Sequence, residues 1–233
     1  MPKLVILFDI DGTLLSTKVT QHDEGRRYIE AIRDVTGKEP KVVPSRFAGM
    51  VDPQICRILL TELGLNQGGV DELVRKVVAR MGAVYPDMNK RKKALNAGVE
   101  ELLRTLSKSP NHILGILTGN ISAIGEEKLI MTGIRSYFAE KFYADEYCER
   151  NRLVEDAVTS CVRKYHLSDR RNAMIVGDTP LDMAAANAAN ATSIGVASGV
   201  FSITQLLDAG AKWAFPNLRP TKELLKALGV VSE

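Results

Sequence analysis

The chain has 233 residues, 45% of them hydrophobic and 25% charged, which is the composition of a globular protein with a packed core. Its net charge of +3 and its pI of about 8.7 are only mildly basic, so the charge gives no indication of a nucleic-acid partner. No apolar run is long enough for a membrane span or a signal-peptide core, and three cysteines without metal-binding or redox spacing indicate reduced thiols in a cytoplasmic protein.

The first predicted element is a buried strand over residues 4–8, a continuous apolar run that ends directly before two acids. Asp9 and Asp11 follow the strand, and Gly12 and Thr13 come next. Ligands of open α/β sheets bind outside the carboxyl ends of the strands, and Gly12 lets the chain turn so that both acids can face one pocket. Two acids this close repel each other unless a cation binds, which predicts a divalent cation with oxygen ligands.

Residues 17–92 are predicted to form a helical insertion between the first strand and the rest of the chain. Apolar residues recur there at helical spacing, and Asp52 followed by Pro53 is a helix-start signal with Asp52 as the N-cap. A crossover between parallel strands needs only about a dozen residues, so the excess indicates an inserted unit. Residues 1–16 and 93–233 then form an α/β core. The residues expected in a small core of the insertion are Ile55, Leu59, Val74 and Val78.

Two later strands, over 113–117 and 173–176, also end in small polar or acidic residues. The residues that follow them are Thr118, Gly119 and Asn120 after the earlier strand, and Asp178 and Asp182 after the later one. Three strand ends of this kind predict convergent chemistry at one edge of a sheet. Strands and helices alternate to the C-terminus, which predicts a doubly wound parallel sheet. Further strands are expected at 141–144, 193–196 and 211–215, with helices near 121–131, 153–165 and 180–189.

These motifs resemble those of the haloacid dehalogenase superfamily, specifically its phosphatase-type members with a helical cap, which are similar to phosphoglycolate phosphatase and β-phosphoglucomutase. Residues 9–13 match the first motif, Thr118 the second, and Asp178 with Asp182 the fourth. The candidates for the basic residue of the third motif are Lys141, Arg150 and Arg152, of which Arg150 is preferred and Arg152 is second. The resemblance implies that residues 17–92 form a cap over the active site.

The resemblance further implies a Mg²⁺-dependent phosphohydrolase that cleaves the phosphate monoester of a small metabolite through an aspartyl-phosphate. The implied catalytic residues are Asp9 as nucleophile, Asp11 as general acid and base, Thr118 as a phosphoryl contact and Arg150 as the neutralising cation. The implied metal ligands are Asp9, Asp11 through its main-chain carbonyl, Asp178 and Asp182, the last of which supports the metal, caps the following helix, or does both. The implied substrate-binding residues are Gly12, Thr13, Gly119, Asn120, Arg46, Met50 and Arg152.

The same residues are compatible with other functions. A phosphomutase of this superfamily would keep all of them and differ in its cap. A hydrolytic dehalogenase needs neither a metal nor a second acid, so Asp11 and Asp178 argue against it, and the intact residue set argues against an inactive binding protein.

The sequence defines the reaction better than it defines the substrate. Residues 47–52 resemble the cap loop that faces the active site in relatives, where a basic residue often follows the glycine. Met50 takes that place and disfavours a strongly acidic leaving group such as glycolate, although Arg46 could compensate. The expected partner is a small phosphorylated metabolite. Neither a nucleic acid nor a membrane is expected as a partner, and the protein is expected to be a monomer or a homodimer.

Overall fold

The computed structural model describes residues 3–16, 21–65, 68–88 and 94–230. At its centre is a six-stranded sheet in the order β3-β2-β1-β4-β5-β6, in which all neighbouring strands are parallel. The strands are β1 (Leu4–Phe8), β2 (His112–Leu117), β3 (Glu140–Phe142), β4 (Ala173–Gly177), β5 (Thr192–Val196) and β6 (Trp213–Phe215). The predicted doubly wound parallel sheet is thereby confirmed.

Helices connect the strands and cover the sheet. They are α1 (Gln21–Thr36), α2 (Asp52–Glu62), α3 (Val70–Met88), α4 (Val99–Leu106), α5 (Ser122–Met131), α6 (Arg150–Tyr165), α7 (Pro180–Ala188), α8 (Ile203–Asp208) and α9 (Lys222–Ala227). Helix α6 begins three residues before the expected start near residue 153. Within the described ranges, no helix is both long and apolar enough to cross a membrane.

Both faces of the sheet are buried, because successive side chains of a strand point to opposite faces. On β1, Leu4, Ile6 and Phe8 pack with residues of α4 and α9. The alternate residues Val5 and Leu7 pack with residues of α6 and α7. This explains why β1 has a continuous apolar sequence: it lies in the middle of a three-layer core and has no solvent-facing side.

Helices α1, α2 and α3 pack together beside the sheet and share one apolar cluster. Ile55, Leu59 and Val74 are buried in this cluster, and Val78 is partly buried against it. Ile121, the residue directly before α5, and Ile124 of α5 are also buried in this cluster. The cluster is therefore not confined to the insertion, because α3 and α5 are in contact.

The chain leaves the core and returns to it at one place. Leu15 and Leu95 form an antiparallel bridge, so the two connections run side by side. The side-chain amide of Asn96 donates to the carbonyls of Gly12 at 2.8 Å and Thr13 at 2.9 Å, which ties the returning chain to the loop after β1. The predicted boundaries at residues 17, 92 and 93 lie outside the described residues.

The cluster shared by α1–α3 and α5 predicts that the insertion and the core unfold together. Leu59→Ala should lower the free energy of unfolding by about 2–5 kcal/mol, because it leaves a cavity among fully buried side chains. The urea transition seen by fluorescence of Trp213, on β6, should shift as far as the transition seen by circular dichroism. Leu207→Ala, at an exposed position of α8, should change stability by less than about 0.5 kcal/mol. An unshifted Trp213 transition in Leu59→Ala would contradict the coupling.

Candidate functional site

The candidate site lies where β1, β2 and β4 end side by side. In this strand order the chain winds outward in one direction from β1 and in the other from β4, and ligands of such sheets bind at that reversal point. Asp9, Thr118 and Asp178 are the first residues after the three strands. A cavity of about 150 Å³ opens here, lined on one side by these strand ends and on the other by residues 25–55.

Three acidic side chains lie close together at this edge of the sheet, and two of them, Asp9 and Asp178, line the cavity. Oxygen atoms of Asp9, Asp178 and Asp182 lie within 4.8 Å of one another, and all three residues are buried. Burial raises the pKa of Asp9 to about 7, although the Arg150 guanidinium acts in the opposite direction. Burial, together with the neighbouring Asp9 and Asp182 carboxylates, raises the pKa of Asp178 well above its usual value. Such a group of desolvated oxygens is well suited to a hard divalent cation.

Arg150 supplies a positive charge to this cluster. Its Nη2 atom lies 2.5 Å from Oδ1 of Asp182 and 3.5 Å from Oδ1 of Asp9. Burial disfavours the charge of Arg150, but the two carboxylates outweigh burial and raise its pKa. Its buried Nε has no hydrogen-bond partner among the described residues. An unpaired buried donor is costly, so this position favours a further acceptor such as an anionic ligand.

The alternatives for this basic residue lie elsewhere. Arg150 is the first residue of α6, and Arg152 is two residues further along, on a different face of the helix. The Arg152 side chain is 76% exposed and pairs with Asp156 at 3.8 Å, so its expected contact with substrate is not supported. Lys141 pairs with Glu126 at 3.7 Å.

Asp182 has both of its oxygens engaged. Oδ2 accepts hydrogen bonds from the Thr179 backbone at 3.1 Å and from the Thr179 hydroxyl at 2.7 Å, which completes a capping box at the start of α7. Oδ1 accepts from Arg150. Asp182 thus caps its helix and also belongs to the acidic cluster, and its main contact there is the guanidinium.

Asp178 occupies a space that two glycines leave open. A Cβ atom on Gly12 would lie 2.1 Å from Oδ2 of Asp178, and one on Gly199 would lie 1.8 Å from the same atom. The Thr13 hydroxyl donates to Oδ1 of Asp178 at 3.1 Å. Gly12 and Thr13 do not line the cavity and instead contact Asp178, so their predicted contact with substrate stays a prediction.

Asp11 is held by a different set of groups from Asp9. Its Oδ2 atom accepts hydrogen bonds from Nζ of Lys128 at 2.6 Å and from Nδ2 of Asn120 at 2.7 Å. Asn120 in turn accepts a hydrogen bond from Arg27 of α1 at 2.9 Å. Asn120 therefore contacts Asp11 directly and also lines the cavity, where it is predicted to contact substrate.

The sequence analysis did not identify Lys128 or Arg27. Lys128 is fully buried on α5 and lies four residues after Ile124 on the apolar face of that helix. Arg27 directly precedes Tyr28 and lies four residues before Ala31, both of them buried in the cluster of α1. A lysine or arginine at an apolar position of an amphipathic helix was the signal that could have revealed both.

The loop before α2 brings the insertion onto the core. Met50 lines the cavity, and a Cβ atom on Gly119 would lie only 2.4 Å from the Met50 carbonyl oxygen. The Asp52 backbone N–H donates to the Gly119 carbonyl at 2.8 Å. Arg46 is directed elsewhere, since it pairs with Glu62 at 2.5 Å and does not line the cavity. Arg46 is therefore not in position to compensate for the missing charge at Met50.

Asp52 has another role than the predicted N-cap. The N-cap of α2 is Val51, and Asp52 is the first residue of the helix. The Asp52 carboxylate accepts hydrogen bonds from Arg27 at 2.8 Å and from the Ile121 backbone N–H at 2.9 Å. It thus joins two helices of the insertion to the loop after β2.

Comparison with known proteins agrees with this architecture. A family model described as haloacid dehalogenase-like hydrolase matches residues 6–196. Among solved structures, a hydrolase from Pseudomonas syringae has a TM-score of 0.71 at 22% sequence identity, covering 99% of this chain and 100% of that one. A predicted phosphoglycolate phosphatase from Haemophilus somnus 129PT has a TM-score of 0.71 at 20% identity, covering 97% of both chains. A β-phosphoglucomutase from Clostridium difficile has a TM-score of 0.70 at 16% identity, covering 98% of this chain and 97% of that one. A search of curated protein sequences finds no match.

The contrast between Arg150 and Arg152 predicts that the same substitution lowers stability strongly at one position and barely at the other. Arg150→Gln should lower the free energy of unfolding by about 3–5 kcal/mol, because it leaves Asp9 and Asp182 buried without their cation. Arg152→Gln removes an exposed charge from the same helix and should change stability by less than about 0.5 kcal/mol. Urea unfolding of both variants at one pH measures the difference. Equal effects would contradict the buried ion pairs described above.

Proposed function

The chain belongs to the haloacid dehalogenase-like hydrolase family, and we propose that it is a Mg²⁺-dependent phosphohydrolase that cleaves the phosphate monoester of a small metabolite. The observation that carries this proposal is the group of three buried carboxylates, Asp9, Asp178 and Asp182, beside the buried guanidinium of Arg150 at the carboxyl edge of the sheet. Phosphoryl transfer is catalysed mainly by alignment and neutralisation of charge, and this site concentrates groups for both.

The carboxylate oxygens of the site are suitable ligands for a hard cation. Asp9 and Asp178 have raised pKa values because they are desolvated beside other acids, and a divalent cation would offset that cost. Mg²⁺ would be held by both carboxylates and by the main-chain carbonyl of Asp11, and when bound it would neutralise charge on the transferring phosphoryl group. Because both oxygens of Asp182 are already engaged, we assign this residue to orienting Arg150 and capping α7.

The reaction proceeds in two displacements. In the first, a carboxylate oxygen of Asp9 attacks phosphorus, the bond from phosphorus to the alcohol oxygen breaks, and Asp11 gives a proton to the departing alcohol. In the second, Asp11 takes a proton from a water molecule as that water attacks phosphorus. The bond between Asp9 and phosphorus then breaks, which releases inorganic phosphate and restores both carboxyl groups.

Thr118 and Arg150 are suited to hold the phosphoryl oxygens. The Thr118 hydroxyl oxygen accepts a hydrogen bond from Nδ2 of Asn120 at 2.9 Å, so its own proton remains to be donated. The unpaired Nε of Arg150 offers a second, charged donor. These donors would be fixed before substrate binds, which lowers the cost of reorganisation during the reaction.

Residues 17–92 are proposed as the cap of this site. Helices α1 and α2 and the segment between them supply the wall of the cavity opposite the acids, with apolar residues such as Phe47, Met50 and Ile55. A wall of this kind excludes water from the phosphoryl group and contacts the leaving alcohol. The two paired connections at Leu15 and Leu95 provide the place about which the unit can open and close.

The first test is hydrolysis of 4-nitrophenyl phosphate by the purified protein. We expect release of inorganic phosphate that requires Mg²⁺ and stops when a chelator is added. Asp9→Asn should abolish turnover and the covalent phosphoryl-enzyme, because an amide is a poor nucleophile. Asp208→Asn, at an exposed position of α8, is the matched control and should keep full activity. Activity that survives chelation or the Asp9→Asn change would refute the proposal, and transfer of the phosphoryl group to a second position of a sugar phosphate would favour a phosphomutase.

The cavity also predicts how the leaving group is selected. Met50→Arg should raise kcat/KM for phosphoglycolate relative to n-propyl phosphate by about tenfold, because a cation at the cavity wall attracts the carboxylate of glycolate. Arg46→Gln changes a charge four residues away that does not line the cavity and should leave this ratio unchanged. Steady-state kinetics with both esters measure the ratio. An unchanged ratio in Met50→Arg would show that this side chain does not face the leaving group.

A further inference from the structure

A buried network of hydrogen bonds connects the insertion to Asp11. Arg27 of α1 donates to Oδ1 of Asn120 at 2.9 Å and to Oδ1 of Asp52 at 2.8 Å. Asn120 and Lys128 both donate to Oδ2 of Asp11. Arg27, Lys128 and Asp52 are buried, and Asp11 is partly exposed. The two cationic and two anionic side chains have formal charges that cancel, which is the condition under which buried charges are tolerated.

We propose that Arg27 is a positioning residue that couples docking of α1–α3 to the general acid-base carboxylate of Asp11, acting through Asn120. This inference rests on the proposed function, because it assigns Asp11 the proton transfers. Arg27 belongs to the insertion, whereas Asn120, Lys128 and Asp11 belong to the core. The hydrogen bond from Arg27 to Asn120 therefore exists only while the insertion is docked on the core.

The orientation of the Asn120 amide is the link in this coupling. Its Oδ1 atom accepts from two cations, Arg27 at 2.9 Å and Lys128 at 3.1 Å, so its Nδ2 group must face the other way. That group donates to Asp11 at 2.7 Å. A flipped amide would set an oxygen against the Asp11 carboxylate and the NH₂ group against two cations, so Arg27 adds to the preference for the productive orientation.

Arg27 is itself held in place by Asp52 of the insertion, which in turn bonds to the core. Asp52 holds the guanidinium, and the Asp52 carboxylate accepts from the Ile121 backbone while its own N–H donates to the Gly119 carbonyl. The guanidinium is thereby anchored to the same loop that carries Asn120. This anchoring removes freedom from Arg27 in the docked state, so that its hydrogen bond to Asn120 has a defined geometry.

Asp11 keeps one oxygen for the reaction. Both of its hydrogen bonds fall on Oδ2, and Oδ1 accepts no hydrogen bond from the described residues. Asp11 also lines the cavity. With Oδ2 fixed by Asn120 and Lys128, Oδ1 is the atom that gives a proton to the leaving alcohol and later takes one from water. An open insertion would leave this carboxylate less well oriented and the site less competent.

The test compares two esters that differ in their need for a proton. The leaving group of 4-nitrophenyl phosphate is stable as an anion, whereas that of n-propyl phosphate must be protonated. Arg27→Gln should lower kcat for n-propyl phosphate about tenfold or more and change kcat for 4-nitrophenyl phosphate about twofold or less, since general acid assistance is worth about 10²–10⁴-fold. Asp11→Asn should also lower kcat selectively for n-propyl phosphate, and by a larger factor than Arg27→Gln. Arg26→Gln, an exposed neighbour that pairs with Glu30, should affect neither ester.

A double-variant cycle separates this coupling from a general loss of structure. In an Asn120→Ala background, Arg27→Gln should produce no further selective loss on n-propyl phosphate, because the residue through which it acts is gone. Additive losses, equal losses on both esters, or a raised KM with unchanged kcat would overturn the inference, the last by showing that Arg27 binds the leaving group directly. If the unmodified protein hydrolyses neither ester, the proposed function fails; if it hydrolyses both and only the selectivity is missing, the inference alone fails.

Discussion

Repulsion among the buried acids at the ends of β1 and β4 is the constraint on which the rest of the site depends. Asp9, Asp178 and Asp182 come within 4.8 Å of one another because parallel strands deliver their carboxyl ends to one edge. Such a group is stable only with positive charge beside it. Arg150 supplies part of that charge from the first residue of α6, and a divalent cation would supply the remainder. The missing side chains of Gly12 and Gly199 follow from the same constraint, because any Cβ there would displace the carboxylate of Asp178.

The two acids of the first motif are separated electrostatically although only one residue lies between them. Asp9 faces Arg150 and the other carboxylates, whereas Asp11 faces Lys128 and the amide of Asn120. Under the proposed function, these different partners would allow one carboxylate to attack phosphorus and the other to move protons, which is how neighbouring acids acquire different roles in one pocket. The backbone leaves the extended conformation after Phe8 and turns at Ile10, before Gly12 with its φ of +84°. An extended strand would place the side chains of Asp9 and Asp11 on the same face, so the early turn permits them to have different partners.

Features encoded locally were predictable from the sequence, whereas those set by packing were not. The strand ends could be predicted because a buried strand followed by acids is a local pattern, and the parallel sheet follows from the alternation of elements. Side-chain direction was harder to predict. Arg152 and Arg46 were expected at the site, but the start of α6 and the pairing with Glu62 direct them away from it. Lys128 and Arg27 were missed because their importance depends on which helix faces meet across the junction of insertion and core, and no single helix contains that information.

Docking of the insertion and the proposed selection of the leaving group use different parts of the same loop. The contacts that hold residues 50–52 on the core are made by main-chain atoms: the Met50 carbonyl lies against the open side of Gly119, and the Asp52 N–H bonds to the Gly119 carbonyl. The side chain of Met50 is not part of these main-chain contacts; Met50 lines the cavity and packs against the apolar cluster of α1–α3. The buried charges of Arg27 and Asp52 are paired with each other, and Arg27 is connected to Asp11 through Asn120. Under the proposed function, this arrangement would allow the substrate to change through Met50 while Arg27 and Asp52 keep the contacts that align Asp11.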